Sequence, residues 1–360
     1  MKKLFAIALC VCMILTIVAC APATTNTPTA TDPVVTEAEY KLGMGVVVST
    51  ASSKTGLAQV DATVATVVTD ADGKIVAARI DVAQSKFDLG ADFAAESTKN
   101  FKTKMELGKD YGMEGKVDND GNGVKLEWDA QAKAFEAYIV GKTGAEVAAL
   151  ELQEANGHQI AVDKALLDAG CSMQITDFMT AVDKACKDEQ GVTFKTAETF
   201  TLGVAAATTA AESVAATAEA DGTVKMYTDF AATVVAGGKI IAALNDAIQP
   251  NIAVNTLGEI VAAEFKGTKR ELKEGYNMAT YGASMDWNGD GKVLEWYLQS
   301  AEFSKFVVGK TAAEVADMAT KVVEGSGYII SADEALLTAG CTIQITGIKA
   351  VVAKAATNAR

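Results

Sequence analysis

Histidine is almost absent from this chain. The single one, His158, has no cysteine or second histidine at metal-ligand spacing beside it, so a His/Cys zinc site is excluded. The same count excludes a Ser-His-acid triad in each half of the chain. Cysteine is scarce too, six in 360 residues, and Cys10, Cys12 and Cys20 lie at the extreme N-terminus. That leaves Cys171, Cys186 and Cys341, an odd number without a close pair, which makes a poor disulfide framework. They read as small apolar residues. Positive charge is outnumbered: 32 Lys and Arg face 46 Asp and Glu, for a net charge of −14. Such an acidic surface argues against nucleic acid and against anionic lipid as partners.

The apolar run at residues 4–18 is too short to cross a bilayer comfortably. Behind Lys2 and Lys3 it reads as an export signal. It ends in Ile17-Val18-Ala19-Cys20, which resembles a bacterial lipoprotein signal, in which the cysteine is lipidated and becomes the first mature residue. The alternative, an ordinary secretory signal cut near Ala19 or Ala21, gives Cys20 no role. The expected order is a signal peptide at 1–19, a lipidated Cys20 and a Thr/Pro/Ala-rich tether over 20–38. The tether has almost no large apolar residue and cannot bury a core. Acyl chains on Cys20 would hold the protein on the extracytoplasmic face of the cell membrane, each buried methylene adding about 0.8 kcal/mol.

Beyond the tether the chain says nearly the same thing twice. Leu166-Leu167-Asp168-Ala169-Gly170-Cys171-Ser172 returns as Leu336-Leu337-Thr338-Ala339-Gly340-Cys341-Thr342. Thr103-Lys104-Met105-Glu106-Leu107 returns as Thr268-Lys269-Arg270-Glu271-Leu272, Tyr111-Gly112-Met113 as Tyr276-Asn277-Met278, and Glu127-Trp128 as Glu295-Trp296. The offset drifts by only a few residues, the mark of tandem domains and not of a short solenoid repeat. The expectation is an α+β fold with two tandem homologous domains, 39–190 and 191–360, each a small antiparallel sheet packed with helices. Residues 60–68, a turn at 70–73 and residues 75–82 read as a hairpin. Residues 224–235, Gly237-Gly238 and the run from Ile240 repeat it. Trp128, Ala132, Phe135 and Ile139 fall at helical spacing, as do Trp296, Phe303 and Phe306-Val307.

Gly141-Lys142-Thr143 and Gly309-Lys310-Thr311 look like the end of a phosphate loop, but Glu136 and Ser304 stand where its first glycine belongs. Thr143 with Glu146 and Thr311 with Glu314 have capping-box spacing instead. After each Gly-Cys pair a hydroxyl residue, Ser172 or Thr342, is flanked by small residues and is expected to be presented. A helix follows, with Thr176 and Thr346 as expected N-caps and an anion-favouring N-terminal end.

Asp118-Asn119-Asp120-Gly121-Asn122-Gly123 and Asp286-Trp287-Asn288-Gly289-Asp290-Gly291 resemble the first half of an EF-hand loop. Candidate calcium ligands are Asp118, Asp120 and Asn122, and Asp286, Asn288 and Asp290. The twelfth position, a bidentate glutamate in that loop, is Asp129 in one and Tyr297 in the other, with Glu127 and Glu295 at position ten. A polar turn without metal is the alternative.

The Gly-Cys-Ser/Thr element resembles the flavin-attachment motif of the FMN-binding domain family, Ser/Thr-Gly-Ala-Thr, whose last threonine carries FMN through a phosphoester. The repeat as a whole resembles the extracellular flavin lipoproteins of Gram-positive bacteria, which carry two such domains behind a lipid anchor. This chain departs from the motif at Ala169 and Ala339, at Cys171 and Cys341, and in having Ser172 for threonine. The resemblance implies attachment at Thr342 and Ser172, with Gly340, Gly170, Cys341 and Cys171 shaping the corners. Trp128, Trp296, Tyr111 and Tyr276 are candidates to stack on the ring. It implies an electron carrier and not an enzyme, since the cofactor holds the redox chemistry. The implied partners are a flavin transferase, a membrane quinol-linked donor and an extracellular acceptor. A calcium-stabilised surface binding or structural lipoprotein without flavin is the rival from another class. A hydrolase using Ser172 or Thr342 lacks a visible general base.

Overall fold

The computed structural model describes residues 37–280 and 286–360. Cys20, the export signal and most of the tether lie outside the described residues. Among the described residues no helix is long and apolar enough to cross a membrane. The fold is α+β, antiparallel sheets with short and medium helices.

The first hairpin forms where β-branched residues run uninterrupted. Leu57–Thr69 pairs antiparallel with Ile75–Asp88, and Asp70 closes the turn by accepting from the amides of Asp72 and Lys74. Ala38–Ser49 pairs on the other side of the hairpin, and Val192–Thr196 completes a four-stranded sheet. That last strand lies beyond the expected boundary at 190/191, yet it belongs to the first sheet. A second sheet joins Thr201–Thr209, Tyr227–Ala236 and Lys239–Ile248. The single strand expected over 224–235 is two: Gly222–Lys225 breaks off at the buried Met226 and pairs with Asn251–Val254 in another sheet.

The order of helices in the first half recurs in the second. Lys104–Leu107, Trp128–Tyr138, Gly144–Ala148, Lys164–Asp168 and Thr176–Cys186 are followed by Lys269–Leu272, Trp296–Phe306, Ala312–Ala316, Glu334–Thr338 and Thr346–Thr357. Capping boxes start the helices at Thr143 and Thr311 as expected, and also those at Thr103 and Thr268. Thr176 and Thr346 correct their expected role. Each is the first helical residue, while Ile175 and Ile345 hold the N-cap position without a side-chain cap. Burial of both isoleucines in the core, and not a hydroxyl cap, sets where these helices begin.

Three apolar clusters explain the layering. One lies between the first sheet and its helices and one between the second sheet and its helices. The third joins both sheets, with Val60, Val64, Leu202 and Phe230 among its members. The central strands are therefore buried on both faces, which is why 62–68 carries no outward polar alternation. The last long helix of each half presses on a glycine. A Cβ on Gly43 would stand 2.0 Å from the Ala185 carbonyl oxygen, and one on Gly203 1.9 Å from that of Ala355. The halves also exchange charges reciprocally: Lys184 meets Glu271 at 2.7 Å and Lys354 meets Glu106 at 2.7 Å. Reciprocity of this kind is the pattern of an isologous interface.

Gly203→Ala is expected to destabilise by about 1–3 kcal/mol through overpacking against backbone. Gly275→Ala, with nothing within 4 Å of its added Cβ, should stay within about 0.5 kcal/mol of wild type. Urea unfolding compares the two, and equal midpoints would contradict the packing described.

Candidate functional site

Each Gly-Cys corner follows a short helix that ends by turning left-handed, at Gly170 (φ 91°) and Gly340 (φ 95°). A Cβ there would lie 2.4 Å from Leu126 Cδ1 or 2.7 Å from Leu294 Cδ1, so the position is closed to larger residues. Cys171 and Cys341 turn into the core, and burial pushes both thiols up to about 12. Next in chain, a glutamine amide seizes the corner. The Ser172 amide donates to Gln131 Oε1 at 3.0 Å, and the Thr342 amide to Gln299 Oε1 at 2.7 Å. The same glutamines donate from Nε2 to the carbonyls of Leu126 and Leu294.

The expected presentation of the two hydroxyls is corrected by this clamp. Ser172 is 1% exposed and Thr342 2%. Small neighbours do not open them, because Met173 or Ile343 and then Ile175 or Ile345 plug into the core beside them. The Thr342 hydroxyl donates to Gln299 Oε1 at 3.3 Å. The Ser172 Oγ is buried and has no hydrogen-bond partner among the described residues.

The repeated aromatics gather around a lysine. Lys104 Nζ sits 4.9 Å from the Tyr111 ring centroid and 5.5 Å from that of Trp128. Lys269 Nζ sits 4.7 Å from Tyr276, 5.2 Å from Trp296 and 4.6 Å from Tyr227. Trp128 and Trp296 are almost fully buried. The four candidate stacking rings are thus cation–π partners of a lysine first, worth about 0.5–2 kcal/mol each depending on desolvation. The two lysines are the residues that sequence reasoning passes over, though the repeated Thr-Lys-x-Glu-Leu carries them. Glu127 and Glu295 complete the frame by accepting from the amides of Met113 and Glu114, and of Met278 and Ala279.

That use removes both glutamates from the Asp-Gly loops. In the loops, Asp118 accepts from the Gly123 amide, Asp286 from the amides of Asp290 and Gly291, and Asp290 from Lys292. Asn122 and Asn288 donate to the carbonyls of Leu167 and Leu337, tying each loop to the helix before its corner. Among the described residues no three His, Cys, Asp or Glu side chains are grouped to hold a metal ion. One oxygen each of Asp118 and Asp120 is nevertheless buried without a hydrogen-bond partner among the described residues.

A cavity of about 340 Å³ opens in the second half, beside the caged Lys269. Trp287 and Tyr328 wall it as a ring pair 5.3 Å apart, inclined by 30°. Tyr276, Tyr227 and Asp229 line it, as do Ile343, the residue after Thr342, and the helix-start residues Thr346 and Gly347. Lys269 donates to the Tyr227 hydroxyl at 3.1 Å. Burial lowers the lysine to about 8 and raises Asp229 to about 7, the attraction between them opposing both shifts. Burial also raises nearby Asp246 to about 6. Among the described residues, Asp229 Oδ1 and Trp287 Nε1 are buried without hydrogen-bond partners. Each orphaned group costs about 1–3 kcal/mol.

The matching positions of the first half differ. The strand pairings set Thr63, opposite Val82, against Asp229, opposite Ala247, just as Val64 opposite Asp81 matches Phe230 opposite Asp246. The repeated motifs likewise set Asn119 against Trp287, His158 against Tyr328 and Asp177 against Gly347. Asp177, on the helix, supplies a carboxylate near Lys104. In the second half the helix residue is glycine, and a Cβ there would stand 2.2 Å from Asp229 Oδ2.

No family model, curated protein or solved structure matches this chain.

The raised Asp229 has a sign that stability measurements can read. Between its unfolded value near 3.8 and about 7 the folded state binds the extra proton, so stability falls as pH rises through that window. Asp246 adds a fall of the same sign that ends near 6. Asp229→Asn is expected to flatten the decline in Tm between pH 4 and 7; a decline as steep as wild type would contradict the assignment.

Proposed function

We propose that this chain is a lipid-anchored, extracytoplasmic electron carrier that holds FMN by a phosphoester, with Thr342 the principal attachment residue and Ser172 the second. The observation that carries it is the cavity beside Lys269, because its lining includes Ile343, the immediate neighbour of Thr342. Its volume is that of a small-molecule pocket. Trp287, Tyr328 and Tyr276 give planar walls for a ring, Lys269 gives a fixed positive charge, and Asp229 and Trp287 have unused hydrogen-bonding capacity. The 12-residue helix starting at Thr346 brings its positive end to the same rim, where a phosphate is favoured. These residues suit the group. Attachment requires the Thr342 hydroxyl to leave Gln299 and turn toward the cavity.

A bound flavin would supply the redox chemistry. The chain's own residues would orient the ring, exclude water from one face and place charge beside it. A covalent bond suits a carrier outside the cell, where a dissociated cofactor is lost and a tethered one keeps its effective concentration. A flavin transferase would make the bond. A membrane quinol-linked enzyme would deliver electrons, and an extracellular acceptor would take them.

A second reading is a calcium-stabilised surface-binding lipoprotein without flavin. The orphaned oxygens of Asp118 and Asp120 favour it. Its mark would be a calcium-dependent rise in Tm that Asp118→Asn abolishes.

Co-production with a flavin transferase, followed by denaturation and intact mass, separates the two. The carrier reading expects one or two FMN increments, one lost in Thr342→Ala and the other in Ser172→Ala. An unmodified mass in wild type overturns it.

A further inference from the structure

The frame of the site and its polar equipment are separable. The caged lysine, the glutamine clamp and the glutamate tie occur in both halves, so they belong to the fold. Asp229, Trp287 and Tyr328 occur only in the second, where Thr63, Asn119 and His158 stand opposite in the first. Gly347 makes room for Asp229. Asp229 is 8% exposed, lines the cavity, and holds one carboxylate oxygen without a partner among the described residues. Trp287 lines the same cavity with an indole N–H in the same state. A fold does not need an acceptor and a donor both left unmatched in one aromatic-walled cleft; a ligand that matches them does.

We propose that this cavity recognises the lactam or imide edge of a planar heterocycle: a ring N–H that donates to Asp229, beside a carbonyl that accepts from Trp287, with the ring against Trp287 and Tyr328. Lys269, held by Tyr227, places positive charge beside the carbonyl edge. A flavin ring carries such an edge, and so does an oxopurine. The site therefore deepens the flavin reading by naming the contacts for the ring, yet it needs no covalent bond and can serve a free ligand.

The test uses the chain made without transferase, so that no ester forms. Three probes are titrated while tryptophan fluorescence and equilibrium dialysis are followed: riboflavin, xanthine, and an N3-methylated flavin whose ring N–H is blocked. Saturable binding of riboflavin at one site per chain is expected, with the N3-methyl compound at least ten-fold weaker. Asp229→Ala should lose ten-fold or more, and Trp287→Phe, which keeps a ring but removes the N–H, several-fold. If Asp229→Ala does not fold, Trp287→Phe and the blocked probe still decide. Riboflavin bound and xanthine not identifies the flavin as the source; xanthine bound instead identifies a free oxopurine. Both support the edge assignment. No saturable binding of either, or binding unchanged by N3-methylation and by both substitutions, overturns it. Failure of the ester leaves these titrations unaffected, and the ester can form even where they fail, so the two proposals fall separately.

Discussion

A buried ammonium has to be compensated, and the second half of this chain is arranged around that requirement at Lys269. No carboxylate forms a close ion pair with it among the described residues. Three aromatic faces, the Tyr227 hydroxyl and the longer-range pull of Asp229 and Asp246 hold the charge instead. Those groups come from a central strand, the neighbouring strand, the turn after Lys269–Leu272 and the start of Trp296–Phe306. Holding one charge therefore fixes how sheet, turn and helix meet. The cavity is what these elements leave between them and the Asp-Gly loop. In the first half Lys104 is only half-buried and faces two rings, Tyr111 and Trp128, with Asp177 on the helix adding a nearby carboxylate, so the two halves compensate the charge differently.

The corners depend on this frame. Gln131 and Gln299 sit one turn into the tryptophan helices, and their amides reach the Gly-Cys corners because those helices are docked by the tryptophans. The bond that positions each corner also hides its hydroxyl. The hydroxyl proposed for modification is thus kept behind one hydrogen bond at Thr342, and behind packing alone at Ser172. The asymmetry favours Thr342, whose chain neighbour Ile343 lines the cavity.

Local patterns made much of this legible. The first hairpin, the tryptophan helices and the capping boxes at Thr143 and Thr311 rest on nearest-neighbour chemistry that spacing reveals. Features that depend on distant partners were not legible. The burial of Ser172 and Thr342 follows from glutamines some forty residues upstream. The role of Lys104 and Lys269 follows from rings on other elements. The split of residues 224–235 into two strands follows from Met226 entering a core that both sheets share. Asp229 did carry a signal: a lone carboxylate on an otherwise uncharged, mostly buried strand. Thr176 and Thr346 mislead because burial of the preceding isoleucine outweighs a hydroxyl cap worth about 1 kcal/mol.

The central claim is that Thr342 carries a redox ring lodged against Trp287 and Tyr328. Tandem mass spectrometry of the tryptic peptide spanning residues 322–349, from protein exposed to a flavin transferase, tests it most directly. The account predicts fragment ions that assign a phosphate-linked FMN to Thr342. A peptide recovered wholly unmodified, from material in which the transferase has labelled a known acceptor, would contradict it.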